Sequence, residues 1–114
     1  MVKLLADPIG ATFAALADPT RRTLLAHVAC GEFSMTTLAA PTGLSLPAVA
    51  KHLRTLEDAG LIAGEKRGRV HWYRLRPEPL RDASAWLAHY HPFWEGQLDA
   101  LARYAEEKET AHER

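Results

Sequence analysis

The stretch that decides the fold is residues 45–61, which read SLPAVAKHLRTLEDAGL, with residues 65–74, EKRGRVHWYR, close behind. Ser45 is a favoured N-cap residue, and Pro47 falls in the first turn, where its missing N–H costs nothing. Gly60 stands where a helix C-cap is expected. The stretch therefore predicts a helix with well-defined ends, followed by a basic segment.

The apolar positions of this helix form a single stripe. Val49, Leu53 and Leu56 recur at three- to four-residue spacing and are expected to face the core. An ordinary surface helix with solvated charges would show the same pattern, so its neighbours decide between the two interpretations. The opposite side and its margin carry Ala48, Lys51, His52, Arg54 and Thr55.

The residues before the helix favour an interaction with DNA. Residues 34–44, SMTTLAAPTGL, predict a short capped helix and then a turn that contains Gly43. A short helix, a glycine turn and a second helix form the helix-turn-helix pattern, in which the second helix enters the major groove of DNA.

After residue 60 the pattern changes to that of β-strands. Residues 61–63 and 70–75 are β-prone and flank a basic turn, which predicts a hairpin whose turn lies at Arg67 and Gly68. Such a hairpin beside a helix-turn-helix is a wing.

Two more helices are predicted near the beginning of the chain. Asp7-Pro8 and Asp18-Pro19 each pair an N-cap residue with a proline at the first helical position. The positions expected to face the core are Ile9, Phe13 and Leu16 in the first helix and Leu24, Leu25 and Val28 in the second.

Helical periodicity returns from residue 80, and Pro92 is expected to break or kink this segment. Its aromatic and aliphatic stripe exceeds what one small domain easily covers. We interpret it, together with the first helix, as a dimer interface; packing within one chain is the alternative. The expected interface residues are Ile9, Phe13, Trp86, Tyr90, Phe93, Trp94, Leu98 and Leu101.

Composition limits the possible functions. The 114 residues are 47% hydrophobic, which suits a single domain over residues 1–114, and the formal net charge is zero. Residues 51–81 hold eight Lys/Arg and four Asp/Glu, whereas residues 95–114 hold three and six. This uneven distribution of charge favours a protein that orients itself on a phosphate backbone over one that binds any polyanion.

Cysteine usage and hydropathy exclude other classes. Cys30 is the only cysteine, so it forms no intramolecular disulfide and has no metal-binding spacing. No run approaches the roughly 20 apolar residues of a membrane span, and the first residues lack a signal-peptide apolar region. We therefore expect a cytoplasmic protein without membrane contact.

Three runs resemble one known family: LADPTRR at residues 16–22, LSLPAVAKHL at 44–53 and LEDAGLI at 56–62. In this order they are similar to the ArsR-type family of bacterial winged-helix repressors. The resemblance implies a mainly α fold with a small β-hairpin, a dimeric winged helix-turn-helix with N- and C-terminal dimerisation helices. It also implies a homodimer whose partner is double-stranded DNA with a palindromic operator.

Carried over position by position, the resemblance assigns DNA contacts to the recognition helix and the wing tip. The family commonly has a polar residue, often glutamine, at the position of Leu46 and serine or threonine at that of Ala50. Base readout here is therefore expected to rely on Lys51, His52 and Arg54 and on apolar contact with thymine methyl groups. The residues assigned to DNA are Ser45, Leu46, Ala48, Lys51, His52, Arg54, Arg67 and Arg69.

Metal sensing, well known in this family, is not expected here. The cysteine motif of its arsenic and cadmium sensors is replaced by EFSMTTL at residues 32–38. On the terminal helix the candidates are Asp82, His89 and His91, and two histidines two residues apart point to nearly opposite sides of a helix. A regulator that senses a metal ion through these histidines is the alternative. No residue identifies another effector.

Two other function classes have less support. A small enzyme using histidines with carboxylates such as Asp82 or Glu95 would lack a nucleophile motif, a glycine-rich phosphate loop and metal spacing, so we expect neither catalysis nor a cofactor. A winged helix that binds only proteins would usually lack such cations as Lys51, Arg54, Arg67 and Arg69.

Overall fold

The computed structural model describes residues 7–113, and within them the side chains of residues 7–90 and 96–109. The chain divides into two compact units, residues 1–83 and 84–114. The helices are α1 (Pro8–Leu16), α2 (Pro19–Val28), α3 (Met35–Ala39), α4 (Leu46–Asp58), α5 (Glu78–Ala88) and α6 (His91–Glu113). The strands are β1 (Phe33–Ser34), β2 (Ile62–Arg67) and β3 (Val70–Leu75).

Both helix starts predicted near the beginning of the chain are confirmed. The side chain of Asp7 accepts a hydrogen bond from the Gly10 N–H at 2.8 Å, and that of Asp18 accepts one from the Arg21 N–H at 3.0 Å. Each carboxylate therefore caps a helix N-terminus whose first N–H groups have no partner within the helix.

The Arg21-Arg22 pair closes the other end of α1. Arg21 Nε donates to the Ala15 carbonyl oxygen at 2.6 Å, and Arg22 Nη1 donates to that of Leu16 at 2.6 Å. The last carbonyl groups of a helix lack intrahelical donors, so these cations satisfy them and oppose the negative end of the helix dipole.

The core face of α2 is the predicted one, whereas the core face of α1 was predicted only in part. Leu16 is half-buried and packs against the core as expected, but the fully buried residues of α1 are Thr12 and Ala15, while Ile9 is half-buried and Phe13 is 37% exposed. The Thr12 hydroxyl can be buried because it donates to the carbonyl oxygen four residues earlier, which removes the cost of an unpaired polar group.

The turn between α3 and α4 is fixed by one threonine. The Thr42 hydroxyl donates to the Ala39 carbonyl oxygen at 2.6 Å and accepts from the Leu44 N–H at 3.1 Å. Residues 40–42 form a single 3-10 turn, which the sequence did not predict, and Gly43 follows with a φ of 70°. This left-handed conformation suits glycine and turns the chain into α4.

Helix α4 matches its prediction closely. The side chain of Ser45 caps its start, and Gly60 follows its end with a φ of 77°. Val49, Leu53 and Leu56 are each 0% exposed, so the predicted stripe is the buried one. These residues pack with side chains of α2, α3 and β2 in one apolar cluster.

The predicted hairpin is confirmed, but its turn lies one residue later than expected. Arg67 pairs with Val70, which leaves Gly68 and Arg69 as the turn residues. The φ of Gly68 is 64°, whereas the φ of Arg69 is not positive. Two-residue hairpins of this kind favour glycine at the first turn position, and that preference moves Arg67 into the strand.

A third strand completes the sheet. The two-residue strand β1 pairs antiparallel with β3, with Phe33 opposite Tyr73 and Ser34 opposite Trp72. The strand order is therefore β1-β3-β2. The sequence did not predict β1, because two residues are too few to show an alternating pattern.

The second unit consists of the last residues of α5 and the whole of α6. The predicted break is confirmed at residues 89 and 90, and Pro92 stands in the first turn of α6, where a missing N–H is tolerated. Large apolar side chains are 40–63% exposed along both helices and the break between them, namely Trp86, Leu87, Tyr90, Leu98, Leu101 and Tyr104. The side chains of the predicted interface residues Phe93 and Trp94 lie outside the described residues. In residues 7–113, no helix has both the length and the apolar content needed to cross a membrane.

Two leucines of α4 test this account of the fold. We expect Leu53→Ala to lower the free energy of unfolding by about 2–5 kcal/mol, because it removes a buried side chain and leaves a cavity. Leu46→Ala is the matched control: Leu46 is 50% exposed, so we expect a change within about 0.5 kcal/mol. Urea unfolding followed by circular dichroism measures both, and equal losses would contradict the burial described here.

Candidate nucleic-acid interface

The exposed side of α4 carries two cations. Lys51 and Arg54 are both exposed and three residues apart, which makes them neighbours on the helix surface. Within the described side chains, neither takes part in an ion pair. Ser45 and Leu46 are exposed at the start of the helix, and Ala48 is half-buried. This side of α4 therefore offers positive charge and donors that none of the described side chains neutralises.

His52 has a different position from the other predicted contact residues of α4. Its Nδ1 atom lies 3.4 Å from Arg21 Nη1 and 3.9 Å from Asp18 Oδ2, and its side chain is 24% exposed. The hydrogen bond from the backbone N–H of Arg21 holds the pKa of Asp18 below its ordinary value. The negatively charged carboxylate of Asp18 therefore lies beside the imidazole of His52. His52 thus leans towards the start of α2, and its contact with DNA stays a prediction.

Arg67 is engaged within the protein. Its Nη1 and Nη2 atoms donate to the two carboxylate oxygens of Glu32 at 2.7 and 3.0 Å, and Nη2 also donates to Glu65 Oε2 at 3.0 Å. The guanidinium carbon lies 5.8 Å from the ring centroid of Trp72. These carboxylates raise the pKa of Arg67 above its ordinary value. Arg69, at the turn, has no ion pair among the described side chains.

A basic cleft lies between α3 and the wing. It has a volume of about 300 Å³, and none of the described residues that line it is acidic. Sequence reasoning missed two of its basic residues, Lys66 and His71; the alternation of β2 and β3 could have placed them on one face of the hairpin. The lining residues are Met35, Thr36, Lys66, Arg69, Val70 and His71.

The metal candidates do not assemble in the described part of the chain. No group of three or more His, Cys, Asp or Glu side chains there could hold a metal ion. The Nδ1 atom of His89 lies 3.2 Å from the Trp86 carbonyl oxygen, and Asp82 is exposed. The side chain of His91 lies outside the described residues.

Comparison with known proteins identifies the family. Residues 16–65, which include α2, α3 and α4, match the helix-turn-helix domain family. The transcriptional repressor SdpR of Bacillus subtilis is 30% identical over 68% of this chain and 87% of that protein. The crystal structure of an ArsR family transcriptional regulator superposes with a TM-score of 0.72 at 40% identity, over 77% of this chain and 91% of the other. The chain belongs to the ArsR family.

A second solved structure supports the same ArsR fold. It is the solution NMR structure of a homodimeric winged helix-turn-helix DNA-binding domain from Mycobacterium bovis, a possible ArsR-family regulator. It superposes with a TM-score of 0.61 at 27% identity and covers 85% of this chain and 86% of that one. The relatives and the fold are those of transcriptional regulators and not of enzymes.

Membership in the ArsR family confirms the resemblance drawn from the sequence, and with it the winged helix-turn-helix and the role in transcriptional regulation. The individual DNA contacts stay predictions. The structure brings Lys51 and Arg54 together on α4 and places Arg69 in the basic cleft, whereas it turns Arg67 and His52 towards partners in the protein.

Proposed function

We propose that this ArsR-family regulator is a homodimeric repressor that binds a palindromic operator through α4 and the wing. The observation that carries the proposal is the orientation of α4. Because its apolar stripe is fully buried, Lys51 and Arg54 are left exposed, without ion pairs to described side chains, on the helix that enters the major groove in this motif.

Base readout is assigned to two cations and two apolar side chains. Lys51 and Arg54 can each donate to guanine O6 and N7, the commonest specific contact in the major groove. Leu46 and Ala48, near the helix start, can contact thymine methyl groups. Ser45 lies at the N-terminus of α4, where backbone N–H groups favour a phosphate.

The dimer is supported by the exposed apolar stripe of α5 and α6. Leu98, Leu101 and Tyr104 are 57%, 63% and 56% exposed in the single chain, which is a large apolar surface for a small domain. The Mycobacterium bovis neighbour is itself a homodimer. Two-fold symmetry would present two copies of α4 to DNA, and a palindromic operator mirrors that symmetry.

The assignment as a repressor is supported by the Bacillus subtilis relative, which is named a transcriptional repressor. A dimer seated on an operator occupies the DNA that a polymerase would need. We place this activity in the cytoplasm, where the DNA of a bacterial regulator lies, and we assign it no cofactor.

Operator discrimination tests the role of α4. We expect Lys51→Ala and Arg54→Ala to weaken operator binding more than random-DNA binding, by about 1–3 kcal/mol for each base contact removed. Arg81→Ala, a change at an exposed cation of α5, is the matched control and should affect both DNAs equally. Fluorescence anisotropy measures both affinities, on an operator found by footprinting the promoters of neighbouring genes. Equal losses on both DNAs would show that α4 does not read the sequence.

The oligomeric state tests the interface. We expect a dimer in sedimentation velocity at micromolar concentration, and we expect Leu98→Asp to shift it towards monomer by placing a charge in an apolar contact. Arg103→Ala, on the opposite side of α6, changes the charge by the same amount and should leave the dimer intact. A wild-type protein that stays monomeric would refute the interface.

Metal ions test the alternative of a metal sensor. We expect zinc, nickel, cadmium and arsenite each to change operator affinity by less than about threefold, because no metal-binding group assembles among the described residues. Titration of each ion into a preformed operator complex measures this. Tight, stoichiometric release of the DNA, lost in a variant carrying His89→Ala and His91→Ala, would establish the terminal-helix sensor instead.

A further inference from the structure

The register of the hairpin separates its charged side chains onto two faces. Glu65 pairs with Trp72, and Arg67 lies two residues further along β2, so these three side chains share one face, here called the outer face. Lys66 pairs with His71 on the other face, the inner face. The buried residues Ile62 and Tyr73 lie on the inner face, and so do Lys66 and His71, which line the basic cleft beside α3. The helix-turn-helix therefore borders the inner face.

On the outer face, Arg67 spans the width of the sheet. It belongs to β2, whereas Glu32 directly precedes β1, and β3 lies between those two strands. The guanidinium lies over Trp72 of the middle strand and forms a two-bond fork with Glu32 beyond it. A third bond goes back to Glu65 on its own strand. One side chain thus ties both edges of the sheet together.

These contacts leave Arg67 poorly suited to bind a phosphate. Two carboxylates accept hydrogen bonds from one guanidinium, so the donors of Arg67 are engaged within the protein and this three-residue cluster carries a net negative charge. The inner face has the opposite character. Lys66 and Arg69 line the cleft with His71, and neither is in an ion pair with a described side chain.

We infer that Arg67 is a positioning residue that braces the wing across the sheet to Glu32, while Lys66 and Arg69 supply the phosphate contacts. A two-stranded ribbon alone is only marginally stable, so a tie to a third strand restrains where the wing tip points. The inference rests on the proposed function, since it assigns the wing a place against DNA. It also revises the assignment of Arg67 as a DNA contact.

Two substitutions distinguish the positioning role of Arg67, here called the brace, from a phosphate contact. Glu32→Gln removes a negative charge and should strengthen DNA binding by electrostatics alone, yet the brace predicts a loss of about threefold or more. Arg67→Lys keeps the positive charge and would preserve a phosphate contact, but a single ammonium cannot form the fork, so the brace predicts a similar loss. The double variant should bind no more weakly than either single variant, because both break the same unit.

Salt titration on random duplex DNA supplies the independent measurement. Arg69→Gln should flatten the plot of log affinity against log salt by about 0.9 for one lost phosphate contact, whereas Arg67→Gln should leave the slope unchanged because Arg67 makes no phosphate contact. Glu78→Gln is the matched control: it removes an exposed carboxylate that has no ion pair among the described side chains, and it should not weaken binding.

The outcomes distinguish failure of the brace from failure of the proposed function. Wild-type affinity for Arg67→Lys together with tighter binding by Glu32→Gln would overturn the brace and restore Arg67 as a phosphate contact. If the wild-type protein bound no duplex DNA, the proposed function would fail, and thermal unfolding of the same variants would test the brace alone. Equal, non-additive lowering of the unfolding midpoint supports it, and additive or absent effects overturn it.

Discussion

Burial of the apolar stripe of α4 sets the orientation of the other elements in the first unit. Val49, Leu53 and Leu56 are fully buried against α2, α3 and the start of β2, and each such side chain contributes about 1.5–3 kcal/mol relative to an exposed one. Rotation of the helix by half a turn would expose these side chains and bury Lys51, which is costly for an unpaired charge. Packing in the core therefore determines which side of α4 faces outward.

Arg21 connects this orientation to the beginning of the chain. Its guanidinium donates to carbonyl oxygens at the end of α1, its backbone N–H is capped by Asp18, and it lies beside His52 of α4. One residue of α2 therefore contacts two other helices, α1 and α4. The Asp-Pro-Thr-Arg-Arg run that helped to indicate the family thus has a structural explanation in the capping of α1 and α2.

The parts of the fold that local chemistry determines could be predicted from the sequence, and the parts that depend on distant partners could not. Ser45, Gly60 and the stripe between them predict α4 from neighbouring residues alone. The glycine of the wing likewise predicts the hairpin turn to within one residue. Arg67 binds Glu32, which lies 35 positions earlier in the chain, and His52 lies beside Arg21, which lies 31 positions earlier. No rule of sequence spacing relates such distant partners. Strand β1 depends in the same way on pairing with β3.

The unequal charge of the two faces also affects how the protein would meet DNA before any contact forms. On the outer face Glu32 and Glu65 are balanced by Arg67 and Arg74, whereas the inner face is lined by Lys66 and Arg69. Within a Debye length of about 8 Å at physiological salt, a duplex would be attracted by the inner face and not by the outer one. Diffusional encounters would therefore be biased towards the proposed orientation, which would raise the association rate although the chain has no net charge.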